Sequence, residues 1–100
     1  MTLEKIRNRI NKIDNSLINL LSERMSLARD VAIIKGDKGG RIIDERREKE
    51  LIDRLVSEGK SQNLDEHFLK KLFFEIIDES VRVQKKYILE NENNADTNIN

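Results

Sequence analysis

LEKIRNRINKIDNSLINLLSERMSLARDVAIIK, residues Leu3 to Lys35, places apolar side chains at alternating steps of three and four: Leu3, Ile6, Ile10, Ile13, Leu17 and Leu20, then Leu27, Val31 and Ile34. This is the spacing of one face of an α-helix that has a partner along its length. The series is interrupted once, at Arg24, where a permanent cation stands in the seam. A second stripe, Ile18, Leu21, Met25, Ala28 and Ala32, flanks the first. A helix from Leu3 to Lys35, with Thr2 as its N-cap, is ~50 Å long at 1.5 Å per residue. A compact domain of this size has a radius of gyration of only ~13 Å. The helix therefore projects from any globule the chain can form, and its projecting part is still apolar. So broad an arc needs more cover than one neighbouring helix provides. A second copy of the chain packed along it is the economical solution, and the sequence predicts an obligate homodimer.

Working outward, no later segment alternates with the period of two that a strand requires, so the fold class is all-α with three helices per chain. GDKGG, Gly36 to Gly40, reads as the stop of the first helix and a loop. The second helix is expected to start near Ile43 or Asp44, to end before Gly59, and to bury Leu51, Ile52, Leu55 and Val56. GKSQNLD is a connector in which Asn63 or Asp65 caps the third helix, whose apolar positions include Phe68, Leu69, Leu72, Phe73, Ile76, Ile77, Val81, Val83, Tyr87 and Ile88. NENNADTNIN is polar and asparagine-rich, which predicts one domain over residues 1–90 and a disordered tail over 91–100.

Composition narrows the function. Lysine plus arginine and aspartate plus glutamate both number 19, so there is no basic excess of the kind that binds nucleic acid. Cysteine is absent, which removes disulfides and thiolate metal sites. The N-terminus lacks the apolar core of a signal peptide, and no apolar run approaches the ~20 residues of a membrane span. A cytoplasmic protein with no membrane partner is expected. His67, the lone histidine, lies near the start of the third helix and suits a surface or capping role.

The polar residues that break apolar rows are the candidates for chemistry. Lys35 lies eleven residues beyond Arg24, close to three full turns, on nearly the same face and ~16 Å away. Ala28 and Val31 form an apolar floor between them. In the third helix the row through Phe73 and Ile77 continues into Ser80 and Gln84, and the second helix opens with Asp44, Arg47 and Glu48. Each has a plain structural explanation: Arg24 as a register device or an ion pair with Glu48, Ser80 and Gln84 as interface polar groups, Lys35 as a complement to the helix dipole. Together, however, two cations on one apolar face repel and need anionic compensation beyond Glu48 alone. A small dianion inside a helical dimer would supply it. Arg7, ~25 Å from Arg24 along the helix, cannot meet the same small ligand within one chain, but in an antiparallel dimer it can enter the partner's pocket.

The motifs IRNRINKID, LLSERMSLARDVAIIK, IIDERRE, GKSQNLD and FFEIIDESVRVQ, in this order and spacing, resemble the all-helical class of chorismate mutases from about Leu3 to Ile88. The resemblance implies an intertwined dimer of three-helix chains that converts chorismate to prephenate without a cofactor or a metal. It assigns the carboxylate-binding arginines to Arg24 and, from the other chain, Arg7. Lys35 and Gln84 fall on the donors to the ether oxygen, and Glu48 and the Asp44 backbone on the ligands of the substrate hydroxyl. Ser80 falls on a serine that assists a carboxylate, and Arg47 on a neighbour of the pocket with a less direct role. Val31, Leu51, Ile77 and Val81 fall on its apolar walls. Two alternatives stand beside this reading: an isochorismate-pyruvate lyase of the same fold, and a non-catalytic helical dimerisation module.

Overall fold

A computed structural model describes residues 1–37 and 43–98, with side chains from 1 to 36 and 43 to 91. Three helices account for nearly all of it: α1 (Leu3–Asp37), α2 (Glu45–Ser61) and α3 (Glu66–Asn98). Their starts are set by local hydrogen bonds. Thr2 Oγ1 accepts from the Lys5 amide at 3.2 Å, Asp44 Oδ1 from the Arg47 amide at 3.1 Å, and Asp65 Oδ2 from the Phe68 amide at 2.9 Å. Each side chain satisfies one donor that the first turn of a helix leaves unpaired. Between the two candidate caps of α3, Asp65 takes the role, while Asn63 adopts a left-handed φ of 63° in the turn before it.

Of the two glycine signals expected to end helices, Gly36 falls in the last turn of α1, while Gly59 does not end α2. Gly36 is helical, and α1 continues to Asp37; the rest of the expected Gly36–Gly40 loop lies outside the described residues. Gly59 is also helical and buried inside α2. A Cβ there would overlap Leu69 Cδ1 and lie 3.0 Å from Leu69 Cδ2. This glycine is needed because α3 crosses close by, and helix-stopping is left to the turn at Gln62 and Asn63. The crossing is fastened at its rim by Lys60 and Lys70, which both pair with Glu66. Hydrogen bonding to Lys70 and the charge of Lys60 hold the Glu66 carboxyl below its usual range.

The helix α3 is the axis of the protomer. It packs against both α1 and α2, whose backbones, among the described residues, do not approach each other closely. The molecule measures 65 × 31 × 16 Å, with a radius of gyration of 18.0 Å. A thickness of 16 Å is less than two helix diameters, so the protomer is close to a single layer and cannot enclose a large core. Ile52, Val56, Leu69 and Ile77 form the cluster between α2 and α3, with Leu51 and Phe73 packed on it. Among the described side chains of α1 only Ala28 and Ala32 are buried, while Leu3, Ile10, Ile13, Leu17 and Leu20 are half or more exposed or close to it. Apolar stripes of this length on a protein surface are characteristic of interaction faces. The backbone of α3 is helical past residue 90 to Asn98.

Candidate active site

The three helices meet around one cleft of about 320 Å³. The C-terminal half of α1 contributes Arg24, Leu27, Ala28, Val31 and Lys35, which lie on one face at steps of three and four. The first turns of α2 contribute Arg47, Glu48 and Leu51, together with the cap Asp44, and α3 contributes Ile77, Ser80, Val81 and Gln84. Of the polar residues singled out in the sequence, Arg24, Lys35, Asp44, Glu48, Ser80 and Gln84 are all brought to this cleft, as is Arg47. The apolar positions Val31, Leu51, Ile77 and Val81 line it too. Arg7 is not there; it lies on the exposed N-terminal part of α1.

Arg24 is held by α3. Its Nη1 donates to Ser80 Oγ at 2.6 Å, and Ser80 Oγ donates to the Ile76 carbonyl at 3.0 Å. Ser80 is buried at 7% exposure, so its hydroxyl is a fixed acceptor and not a mobile surface group. The ion pair with Glu48 weighed for Arg24 is not formed among the described residues; Ser80 is its partner instead. Partial burial draws the Arg24 guanidinium below its ordinary pKa, yet it remains a cation at neutral pH.

Among the described residues that line the cleft, Arg24, Lys35 and Arg47 are cationic and Asp44 and Glu48 are carboxylates. One of those carboxylates is occupied in capping α2. The N-terminus of α2 adds its own positive end to the same wall. Gln84 is buried at 8% exposure, and among the described residues its Oε1 has no hydrogen-bond partner.

Reading the sequence alone missed two features. Leu27 lines the cleft, and its position one step beyond Arg24 on the same face was the available signal. Met25 Sδ lies 3.7 Å from Ser80 Oγ. That contact joins residues far apart in the chain, so nothing in the local pattern announces it. Among the described residues no helix is long and apolar enough to cross a membrane, and no three of the usual histidine, cysteine or carboxylate ligands stand together as a metal site.

An all-helical protomer whose polar cleft interrupts an unpartnered apolar seam defines a class, and comparison with known proteins gives that class its family. Residues 6–85 match the family described as chorismate mutase type II. A chorismate mutase from Methanocaldococcus jannaschii is 42% identical over 91 residues, covering 91% of this chain and 92% of the relative. The bifunctional chorismate mutase/prephenate dehydratase of Buchnera aphidicola (subspecies Schizaphis graminum) is 38% identical, covering 94% of this chain but 25% of the relative. That of Escherichia coli (strain K12) is 38% identical over 80% of this chain and 21% of its own length. The chain belongs to the chorismate mutase type II family. It spans nearly the whole of the archaeal relative and a quarter or less of these two bifunctional ones.

Proposed function

We propose that this chain catalyses the rearrangement of chorismate to prephenate, a step of aromatic amino-acid biosynthesis, in the cleft between α1, the start of α2 and α3. The observation that carries the reading is the convergence of Arg24, Lys35, Glu48, Ser80 and Gln84 on that single cleft. The reaction is an intramolecular pericyclic rearrangement in which a carbon–oxygen bond breaks as a carbon–carbon bond forms. It needs no nucleophile, base or metal.

Two tasks are left to the protein. The first is to hold the enolpyruvyl arm over the ring in a chair-like geometry, which two guanidinium groups clamping two carboxylates can do. Arg24, braced by Ser80, binds one carboxylate, and the partner's Arg7 binds the other. Glu48 and the Asp44 backbone orient the ring hydroxyl. The second task is to stabilise the negative charge that grows on the ether oxygen as its bond breaks. Lys35 and the Gln84 amide donate to that oxygen from fixed positions, so little reorganisation is needed at the moment of reaction. Even modest enzymatic acceleration requires roughly 8 kcal/mol of barrier lowering, and orientation plus a desolvated charge interaction have the right scale.

A homodimer completes the site. The exposed α1 seam supports a second copy lying antiparallel along it, which carries the N-terminal half of one α1 past the C-terminal half of the other. Arg7 then enters the cleft that its own chain cannot reach. The mutase unit is residues 1–90, with 91–100 a polar tail outside it; every cleft residue lies at or before Gln84. We place the enzyme in the cytoplasm, acting on a small-molecule substrate without a cofactor.

The test is loss of chorismate absorbance on addition of purified protein, with identification of the product. Prephenate is expected. Pyruvate released from isochorismate, with no prephenate from chorismate, would identify a lyase instead, and inactivity together with no calorimetric binding of a transition-state-like dicarboxylate would leave a dimerisation module. Mixing inactive Arg7→Ala and Arg24→Ala proteins tests the shared site. Re-assorted heterodimers carry one intact cleft, so activity should return; no return after subunit exchange would defeat the assignment of Arg7 to the partner's cleft.

A further inference from the structure

The exposed seam of α1 is flanked by charge on the side turned away from α3. Arg9, Ser16, Glu23 and Asp30 follow one another beside it at steps of seven, basic toward the N-terminal end and acidic toward the C-terminal end. The opposite flank is taken up in the C-terminal half of α1, where Ala28 and Ala32 are buried and Met25 meets Ser80 of α3. Arg9, Glu23 and Asp30 are exposed, and among the described residues they form no ion pair or side-chain hydrogen bond. A shallow groove lies beside the seam on this open flank, lined in part by Arg9, Ser16, Leu17 and Leu20.

The seam limits how a second copy can lie along it. In a parallel pair each seam residue meets its own counterpart, so Arg24 would stand against another Arg24. In an antiparallel pair centred between Ile18 and Asn19, the steps of three and four coincide with themselves reversed. Leu3 is then level with the partner's Ile34, Leu17 with the partner's Leu20, and Arg24 with the partner's Ile13. Antiparallel helices also bring equivalent flanks together. Arg7, on the flank that α3 occupies further along, comes level with the stretch between the partner's Ala28 and Val31, both of which line the cleft. Arg9, on the open flank, comes level with the partner's Ala28, two residues or ~3 Å along the axis from the partner's Asp30.

We propose that Arg9 forms an ion pair with the partner's Asp30 on the open flank of the seam, and that the two symmetry-related pairs hold the antiparallel register in which each Arg7 is carried to the other chain's cleft. This rests on the reading of the site as shared between two copies. Charges beside an apolar helical seam act chiefly on the choice and orientation of the partner, and each exposed pair contributes little to strength.

The experiment uses Arg9→Glu and Asp30→Arg, made separately in the full-length protein at positions that are both exposed. Either variant alone sets like charges against each other at both pairs, which should weaken its homodimer roughly ten-fold at low salt. A dimer of one variant with the other regains opposite charges at both. Co-expressed in equal amounts and counted by native mass spectrometry, about nine-tenths of the dimers should be mixed, against about half for random pairing. The preference should shrink toward half in ~1 M salt. The double variant Arg9→Glu/Asp30→Arg, co-expressed with wild type, should reverse the bias and give only about one-tenth mixed dimers. A parallel pair would set Arg9 near the partner's Asp14 and Asp30 near the partner's Lys35, and the two single variants would then mix at random. Random mixing at low salt, or a bias that salt leaves unchanged, overturns the proposal. A chain that stays monomeric overturns it together with the shared cleft. Failure of Arg7→Ala and Arg24→Ala to complement each other, with selective mixing intact, is a separate outcome: it supports the ion pair and removes Arg7 from the partner's cleft.

Discussion

Ser80→Ala removes one oxygen atom and isolates the contribution of the brace behind Arg24. In the folded protein that oxygen accepts from Arg24 Nη1 at 2.6 Å and donates to the Ile76 carbonyl at 3.0 Å. The carbonyl loses little, because it keeps its helical partner. Arg24 loses the neutral acceptor that fixes its guanidinium. A hydrogen bond to a charged group contributes about 1.5–3 kcal/mol where it is fully desolvated. Arg24 is only partly buried, so water replaces part of the loss, and about 1–2 kcal/mol remains. At 1.4 kcal/mol per decade this is roughly a 5- to 30-fold fall in kcat/KM. In the proposed mechanism Arg24 grips a carboxylate that carries its charge before, during and after the rearrangement. The loss should therefore appear mainly in KM, with kcat falling less than about three-fold. The assay is steady-state loss of chorismate absorbance, with circular dichroism to confirm the fold. A Ser80→Ala protein that is folded and has a KM within two-fold of wild type would refute the bracing role. A fall confined to kcat would refute the claim that Arg24 binds ground and transition states alike.

Lys35→Ala should act in the opposite way, lowering kcat by two or more orders of magnitude while binding weakens less, because the oxygen it is proposed to meet gains charge only in the transition state; near-normal turnover would remove Lys35 from the mechanism. Gln84 donates as an amide at any pH, so kcat should vary less than about two-fold between pH 5 and 7. In Gln84→Glu the group donates only when protonated, so activity should rise as pH falls through the carboxyl's pKa and be lost above it; a flat profile in that variant would place the donor elsewhere. Gly59→Ala gains about 1 kcal/mol of helix propensity but forces Leu69 out of its position, at a cost of typically 1–3 kcal/mol for overpacking. Chemical denaturation should show a net loss of about 0–2 kcal/mol, and a clear gain in stability would mean that α2 and α3 separate more easily than their crossing suggests.

Much of the fold was legible because it is written in local terms. The periodicity of α1 is a property of consecutive residues, and so are the caps Thr2, Asp44 and Asp65, whose side chains bond to amides three residues on. The polar breaks at Arg24, Ser80 and Gln84 were visible for the same reason: they interrupt rows that are otherwise apolar. Gly59 was misread as a stop because a glycine in sequence carries two meanings. At Gly59 the operative one is room for Leu69 of another helix, which no local pattern encodes. The partner of Arg24 was likewise a matter of tertiary structure. Glu48 offered the opposite charge, but Ser80 stands where α3 crosses α1, and distance outranks charge in choosing a hydrogen bond.

By itself, the sequence determined that the chain is helical, that α1 is too long for a compact globule, and which few polar side chains stand in apolar rows. These follow from the 3.6-residue turn and the 1.5 Å rise, which need no knowledge of neighbours. Only the tertiary structure decided that those polar residues face one another across a single cleft, that α3 is the axis on which α1 and α2 both pack, and that Ser80 holds Arg24. Helix crossings depend on side-chain contacts between residues dozens of positions apart, and a periodic row specifies which face is buried but not which residue it will meet.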